Sequence, residues 1–142
     1  MPGYIASYTH DEGRAAALVL LRFRESTSAR TAELQLLGRE LAMQVVAMRP
    51  AVVAPSDVDE VAWRQELAGL RGTGLLSGTS ADRLGEINAA RANYERTFCL
   101  LKQPFVKDST LTVEQRIEEV AAQLSETIEV VRFSFLEAGE VE

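Results

Sequence analysis

The sequence predicts an α+β domain in which a three-stranded antiparallel sheet packs against three or four helices. Two strand-like runs stand close together near the N-terminus, which indicates a hairpin. Amphipathic segments with helix-capping residues follow, and an alternating run near the C-terminus provides the third strand. No repeat or low-complexity segment interrupts this pattern, so residues 1–142 are predicted to form a single domain.

The hairpin is predicted from residues 4–9 and 14–23, which are joined by the polar segment His10-Asp11-Glu12-Gly13. A glycine at the end of this segment can take the positive φ that a tight turn requires. The second run is apolar on both faces, as expected for a strand covered by helices on one side and by something else on the other. The second cover is predicted to be another subunit.

The long helix is predicted over residues 29–48, because apolar residues there recur at steps of three and four and share one face. These residues are Leu34, Leu37, Leu41, Val45 and Met48. The pair Arg49-Pro50 ends this helix, because proline disfavours helical geometry in the residue before it.

Two further helices are predicted from capping signals. Ser56 with Asp59 matches a capping box for a helix to about residue 70, and Thr79 with Asp82 repeats the signal for a helix to about residue 103. Residues 71–80 carry three glycines and are predicted to form a loop.

The last helix is predicted from the capping pair Thr112 and Gln115, which precedes an apolar face. Residues 128–136 then alternate like a strand. The predicted order is therefore ββαααβ or ββααααβ.

The composition is that of an ordinary globular protein, with 46% apolar and 25% charged residues. A net charge of −6 argues against nucleic acid or an anionic membrane as a partner, since surfaces that bind phosphate concentrate Lys and Arg. No N-terminal apolar run resembles a signal peptide or a membrane span. The single cysteine, Cys99, cannot form an internal disulfide. A cytoplasmic protein is expected.

Residue types that serve catalysis or metal binding are not clustered in this sequence. His10 falls in the predicted turn and Cys99 in a predicted helix, and neither has a plausible partner. The glycines of residues 71–80 lack the Gly-Lys-Ser or Gly-Lys-Thr of a phosphate loop. Glu114, Glu118 and Glu119 are predicted to form a solvated helix face. No catalytic residue, metal or cofactor is predicted, and the protein is not expected to be an enzyme.

Three stretches carry a resemblance to a known family. The first stretch is residues 3–10 with Arg14 and the pair Leu18-Val19, which is similar to a hairpin with the pattern Tyr-x-His and Arg-x-Gly-Val-Leu-Val. The second is residues 41–50, which are similar to a helix end with the sequence Leu-Ala-Met-His-Ile-Ala and a terminal proline. The third stretch matches a Gln-Pro-Phe-Val segment and a closing Arg-Phe strand, through Gln103, Pro104, Phe105, Val106 and Arg132. These stretches resemble the core domain of translation elongation factor Ts.

The resemblance implies a protein that binds elongation factor Tu and promotes GDP release. In the family, the loop before the long helix carries Thr-Asp-Phe-Val, which is implied to press against the G domain of elongation factor Tu. The matched positions here are Glu25, Ser26, Thr27 and Ser28. Together with Met43 and Gln44 of the long helix, where the family often has a histidine, they are the residues that the resemblance implies for partner binding.

The loop departs from the family, because serine offers no carboxylate and threonine no aromatic ring. The alternative is therefore a dimerisation or binding domain that keeps the fold, has lost exchange activity and serves as an adaptor or isolated fragment. Typical members also carry an N-terminal helical domain, and many contain a second copy of the core subdomain. One copy is expected to complete itself as a homodimer, with an interface formed by Ala16, Leu18, Leu20, Phe133 and Phe135.

Overall fold

The computed structural model describes residues 1–72 and 80–139, with backbone only for residues 80–82. Its main sheet is antiparallel and has the strand order β1-β2-β5. The strands are β1 (Gly3–His10), β2 (Ala15–Arg22) and β5 (Glu129–Glu137), with two shorter strands, β3 (Pro104–Phe105) and β4 (Asp108–Thr112), paired apart from them. The helices in this part of the chain are α1 (Ala32–Met48), α2 (Glu60–Gly72), α3 (Ser80–Phe98) and α4 (Val113–Leu124).

This architecture confirms the predicted α+β class and, of the two predicted orders, the one with four helices, but β3 and β4 lie between α3 and α4. The antiparallel hairpin pairs Ala6 with Val19, and β5 pairs Phe133 with the same valine, so β2 is the central strand. The turn of the hairpin places Asp11, Glu12 and Gly13 at φ values of 51°, 55° and 93°. The small β3–β4 pairing was not predicted.

The long helix begins three residues later than predicted. Residues Ser26–Arg30 form a short 3-10 turn, and the Thr31 hydroxyl then accepts the backbone N–H of Leu34 at 3.2 Å. This side chain satisfies one of the N–H groups that a helix start leaves free. The helix ends as predicted, with Arg49 in the left-handed region at φ 47°.

The predicted boundaries of α2 and α3 were partly wrong. Ser56 lies in a separate 3-10 turn, and the carboxylate of Asp59 accepts the Val61 backbone N–H at 2.9 Å, so α2 begins at residue 60. Helix α3 ends at Phe98, because Cys99 leaves the helix to bridge Val52 and residues 100–102 form another 3-10 turn.

The predicted loop over residues 71–80 falls mainly on residues 73–79, which lie outside the described part of the chain. Its flanks, Arg71, Gly72 and Ser80, are helical. The predicted capping pair Thr79 and Asp82 depends on side chains that are likewise not described.

The main core lies between one face of the sheet and helices α1 and α4. The predicted stripe on α1 faces it, with Leu34, Leu37, Leu41 and Val45 fully buried, whereas Met48 is 42% exposed. The capping box of α4 is confirmed by the reciprocal hydrogen bonds of Thr112 and Gln115, at 2.9 and 3.2 Å. The helix therefore starts at a fixed point and turns its apolar side inward.

A second, smaller cluster lies where α2 and α3 meet the chain that returns to the sheet. Its buried members are Val58, Trp63 and Cys99, with half-buried apolar residues packed around them. The pair α2 and α3 therefore has a small core of its own beside the main one.

Candidate partner-binding site

The loop between β2 and α1 holds the four residues predicted to meet a partner. Glu25, Ser26 and Thr27 are exposed, whereas Ser28 is buried. The 3-10 turn that begins at Ser26 gives this loop a defined backbone, since the Ser28 N–H donates to the Glu25 carbonyl at 2.9 Å. Three of the four predicted residues are thus available at the surface.

The carboxylate of Glu126 holds this loop from behind. Its Oε1 accepts the backbone N–H groups of Arg24 at 2.8 Å and Thr127 at 2.9 Å. Its Oε2 accepts the hydroxyl of Ser28 at 2.8 Å and the backbone N–H of Glu25 at 3.1 Å. A single buried carboxylate therefore fixes both ends of the loop.

These donors determine the ionisation of Glu126. The backbone N–H of Arg24, followed by those of Thr127 and Glu25 and the Ser28 hydroxyl, lowers the pKa of Glu126 to about 2 against the opposing effect of burial. Hydrogen bonds to the charged form of a carboxyl group favour that form. Arg24 adds an ion pair, with Nε 3.4 Å from Oε1.

Glu126 was not among the predicted site residues. It lies two residues after the end of α4, and Ser125 between them is in the left-handed region at φ 50°. A negative charge is unfavourable at a helix C-terminus, where the helix dipole is also negative. An acidic residue at this unfavourable position could have marked Glu126 as unusual in the sequence. It could not have shown that the loop of residues 24–28 is its partner.

Gln44 has a structural position. Its side chain is fully buried, and its amide donates to Gln103 Oε1 at 3.2 Å and to the Pro104 carbonyl at 3.0 Å. Its own Oε1 accepts the backbone N–H of Val106 at 2.8 Å. The amide groups that the prediction assigned to a partner are therefore engaged with the chain itself.

The Gln103 side chain extends this buried network. Its Nε2 donates to the Thr97 carbonyl at 2.9 Å, and its backbone carbonyl accepts the Val113 N–H at 3.0 Å. The network joins the ends of α1 and α3 to the start of α4. Phe105 packs in the core beside it at 2% exposure, whereas Val106 is 41% exposed.

Met43 lies far from the loop. It is half-buried and lines a cleft of about 550 Å³ with Tyr8, His10, Val106 and Lys107. From the start of α1 to Met43 the helix rises roughly 16 Å, at 1.5 Å per residue. The predicted partner-binding residues thus lie in three places. Residues 25–28 form the loop, Gln44 is buried, and Met43 lines a separate cleft.

The residues predicted for the dimer interface lie on two faces of the sheet. Leu18 is 50% exposed, and it shares an open face with Ala16 and Leu20, which alternate with the buried residues of β2. Phe133 and Phe135 pair with Val19 and Ala17 and pack against the main core. Arg132 lies opposite Leu20 on the open face and is exposed.

The isolated histidine and cysteine have ordinary surroundings. His10 Nδ1 is 2.8 Å from the Tyr8 hydroxyl, and Cys99 is fully buried. Burial, with the charge of Glu95 second, raises the pKa of the Cys99 thiol. Within residues 1–72 and 80–139, leaving out the side chains of residues 80–82, no three His, Cys, Asp or Glu side chains lie close enough to hold a metal. No helix in those ranges has the length and apolar character to cross a membrane.

The fold and the site define a class of small α+β domain, in which a surface loop before the long helix is held by a buried carboxylate. Residues 2–140 match the sequence profile of the family described as elongation factor TS. The chain belongs to the elongation factor Ts family of translation factors.

Curated relatives share this sequence over nearly its whole length. Elongation factor Ts of Moorella thermoacetica is 37% identical over 139 residues, which cover 97% of this chain and 68% of the relative. Those of Desulforamulus reducens and Clostridioides difficile are 32% and 34% identical, over 64% and 45% of their own lengths. The chain thus spans between about half and two thirds of these relatives.

Proposed function

We propose that this chain binds elongation factor Tu and promotes the release of GDP, as a guanine nucleotide exchange factor in translation elongation. The observation that carries the proposal is the loop of residues 24–28. It stands at the position of the family's Thr-Asp-Phe-Val motif. Glu126 holds it by accepting the backbone N–H groups of Arg24 and Glu25 and the hydroxyl of Ser28. A loop held in this way loses little conformational entropy on binding.

The proposed mechanism is a difference in affinity between two states of the partner. A protein that binds nucleotide-free elongation factor Tu more tightly than the GDP-bound form shifts the equilibrium towards release. No covalent step is required, so the protein acts without being an enzyme. The place of action is the cytoplasm, where translation occurs.

The contacts that this loop offers differ from those of the family motif. The exposed carboxylate of Glu25 is the acidic group that remains, and Thr27 presents a small side chain in place of an aromatic ring. Buried aromatic and charged anchors contribute most of the energy at interfaces, often 2 kcal/mol or more each by alanine substitution. The proposed complex is therefore weaker than one formed through Asp and Phe.

The second candidate is a domain with the same fold that has lost exchange activity and acts through dimerisation or as an adaptor. The open sheet face favours it, since Ile5 is 62%, Leu18 50% and Leu136 78% exposed. A second copy of the chain is the proposed cover for this face, and a two-fold axis would place the same residues on both sides. This candidate needs no contact with the nucleotide site of elongation factor Tu.

Release of fluorescent GDP from elongation factor Tu, with and without this protein, tests the proposal. Acceleration by the wild-type chain, and a further increase in the double variant Ser26→Asp with Thr27→Phe, is the expected result. Gln123→Ala, an exposed substitution on α4, is the control and should leave the rate unchanged. No acceleration at high micromolar concentration by either the wild type or the double variant would overturn exchange activity and favour the second candidate.

A further inference from the structure

A groove of about 520 Å³ runs between α2 and α3, away from the loop of residues 24–28. Its apolar lining comes from both helices and includes Leu70, Ala90, Tyr94 and Phe98. It is an open depression along the pair of helices, of the kind that accepts a third helix in ridge-and-groove packing.

Aromatic rings give this groove a fixed wall. Tyr94 lies at the centre, with its ring 5.2 Å from Trp63 in an edge-on arrangement and 4.7 Å from Phe98. Trp63 is buried in the small core, whereas Phe98 is 38% exposed. The buried Trp63 therefore fixes the position of the Tyr94 ring, and Phe98 presents apolar surface to the groove.

The two charged side chains that line the groove are both acidic. Glu66 on α2 and Glu86 on α3 both line it. Glu86 Oε2 is buried and has no hydrogen-bond partner among the described residues. Buried carboxylate oxygens normally accept a hydrogen bond. A hydrogen-bond donor from a partner would therefore bind favourably to this unpaired oxygen. The nearby cation Arg91 is occupied, since it pairs with Glu95 at 2.8 Å and Glu60 at 3.5 Å.

We propose that this groove binds an amphipathic helix of a partner protein that carries Lys or Arg beside an apolar stripe. The stripe would pack on Tyr94 and Phe98, and the cation would donate to the free oxygen of Glu86. Helices with such a stripe commonly bind in apolar grooves between helices. The charge of the occupant follows from the two carboxylates and from the chain's net charge of −6. This surface is independent of the proposed exchange activity.

The single tryptophan of the chain makes binding measurable without a label, because Trp63 contacts Tyr94 of the groove wall. The probe is a 14-residue amphipathic peptide of leucine and lysine, added to the full chain while Trp63 emission is recorded. A scrambled peptide of the same composition and a leucine–glutamate peptide are the peptide controls. Saturable binding of the amphipathic cationic peptide, at least about tenfold tighter than either control, is expected.

Variants then locate the binding surface. Glu86→Gln and Phe98→Ala should each weaken binding about tenfold or more, as expected for the loss of one member of a charge pair or of an aromatic anchor. Glu118→Gln removes the same charge from the exposed side of α4 and should leave affinity unchanged. Circular dichroism melts establish that each variant is folded.

Three outcomes would overturn the proposal. The first is the absence of a saturable signal up to 100 μM peptide, because a dissociation constant above about 100 μM is too weak for a specific site of this kind. The second is equal binding of the scrambled peptide, which would indicate attraction by net charge alone. The third is an equal loss in Glu86→Gln and Glu118→Gln, which would place the interaction outside the groove.

Discussion

The hydroxyl of Ser28 donates a 2.8 Å hydrogen bond to the carboxylate of Glu126, a residue 98 positions further along the chain. Ser28 ends the candidate partner-binding loop, and Glu126 links the last helix to the last strand. The conformation of the loop therefore depends on the correct packing of the C-terminal part of the domain. A partner that recognises the loop recognises the assembled fold.

Replacement of Glu126 by glutamine should loosen the loop. The amide keeps the size of the carboxyl group but places an N–H₂ group against the N–H donors of Arg24 and Thr127 or of Glu25. Amide hydrogen exchange at Arg24 and Glu25 is expected to rise about tenfold or more, because local opening becomes easier. The exposed variant Glu129→Gln is the control, and equal protection in both variants would contradict a role for Glu126.

The low pKa of Glu126 gives stability a defined pH dependence. Its folded value of about 2 lies below the ordinary value of 4.5, so the unfolded chain binds more protons between these limits. The contribution is therefore fully present above about pH 4.5 and is lost as the pH falls towards 2. Urea unfolding of the wild type and of Glu126→Gln should give stabilities that converge over this interval. A constant difference between pH 5 and pH 2.5 would disagree with the prediction.

The buried amide of Gln44 should be important for stability. Alanine at this position removes hydrogen bonds to Gln103, the Pro104 carbonyl and the Val106 N–H, and it leaves a cavity. The expected loss of unfolding free energy is roughly 2–4 kcal/mol, from unsatisfied polar groups and lost packing. Chemical denaturation measures it.

The matched control for Gln44 is Gln123→Ala, on the exposed side of α4. A change within about 0.5 kcal/mol is expected there, as for most surface substitutions. A Gln44→Ala variant as stable as the control would mean that the buried network contributes little, and that the amide is available for another role.

Local chemistry explains which parts of the fold could be predicted. The reciprocal bonds of Thr112 and Gln115, and the spacing of Leu34, Leu37 and Leu41, involve residues within one or two helical turns. Such signals can be read from adjacent positions. The start of α1 was predicted too early. Residues Ser26–Arg30 form a 3-10 turn before the helix, and their polar sequence is compatible with either a 3-10 turn or an α-helix.

Long-range pairings explain what could not be predicted. Nothing near Glu126 in the sequence indicates that its acceptors serve the backbone of residues 24 and 25. Gln44 was predicted to contact a partner because of its matched position in the family, and only the fold brings it within 3.2 Å of Gln103. The alternation of β5 predicted a strand, but the face that Phe133 and Phe135 occupy depends on register.

The open sheet face predicts a homodimer that one substitution can dissociate. Leu18 stands at its centre, 50% exposed on the middle strand, and a two-fold axis would bring two copies of this residue close together. Leu18→Asp would place paired carboxylates in an apolar contact and should weaken association about a hundredfold or more. Light scattering after size-exclusion chromatography should give about twice 15.6 kDa for the wild type and the monomer mass for the variant. Val61→Asp, an exposed apolar position on α2, should remain dimeric. A monomeric wild type at micromolar concentration would exclude this use of the sheet face and leave the exposed Leu18 without a partner copy.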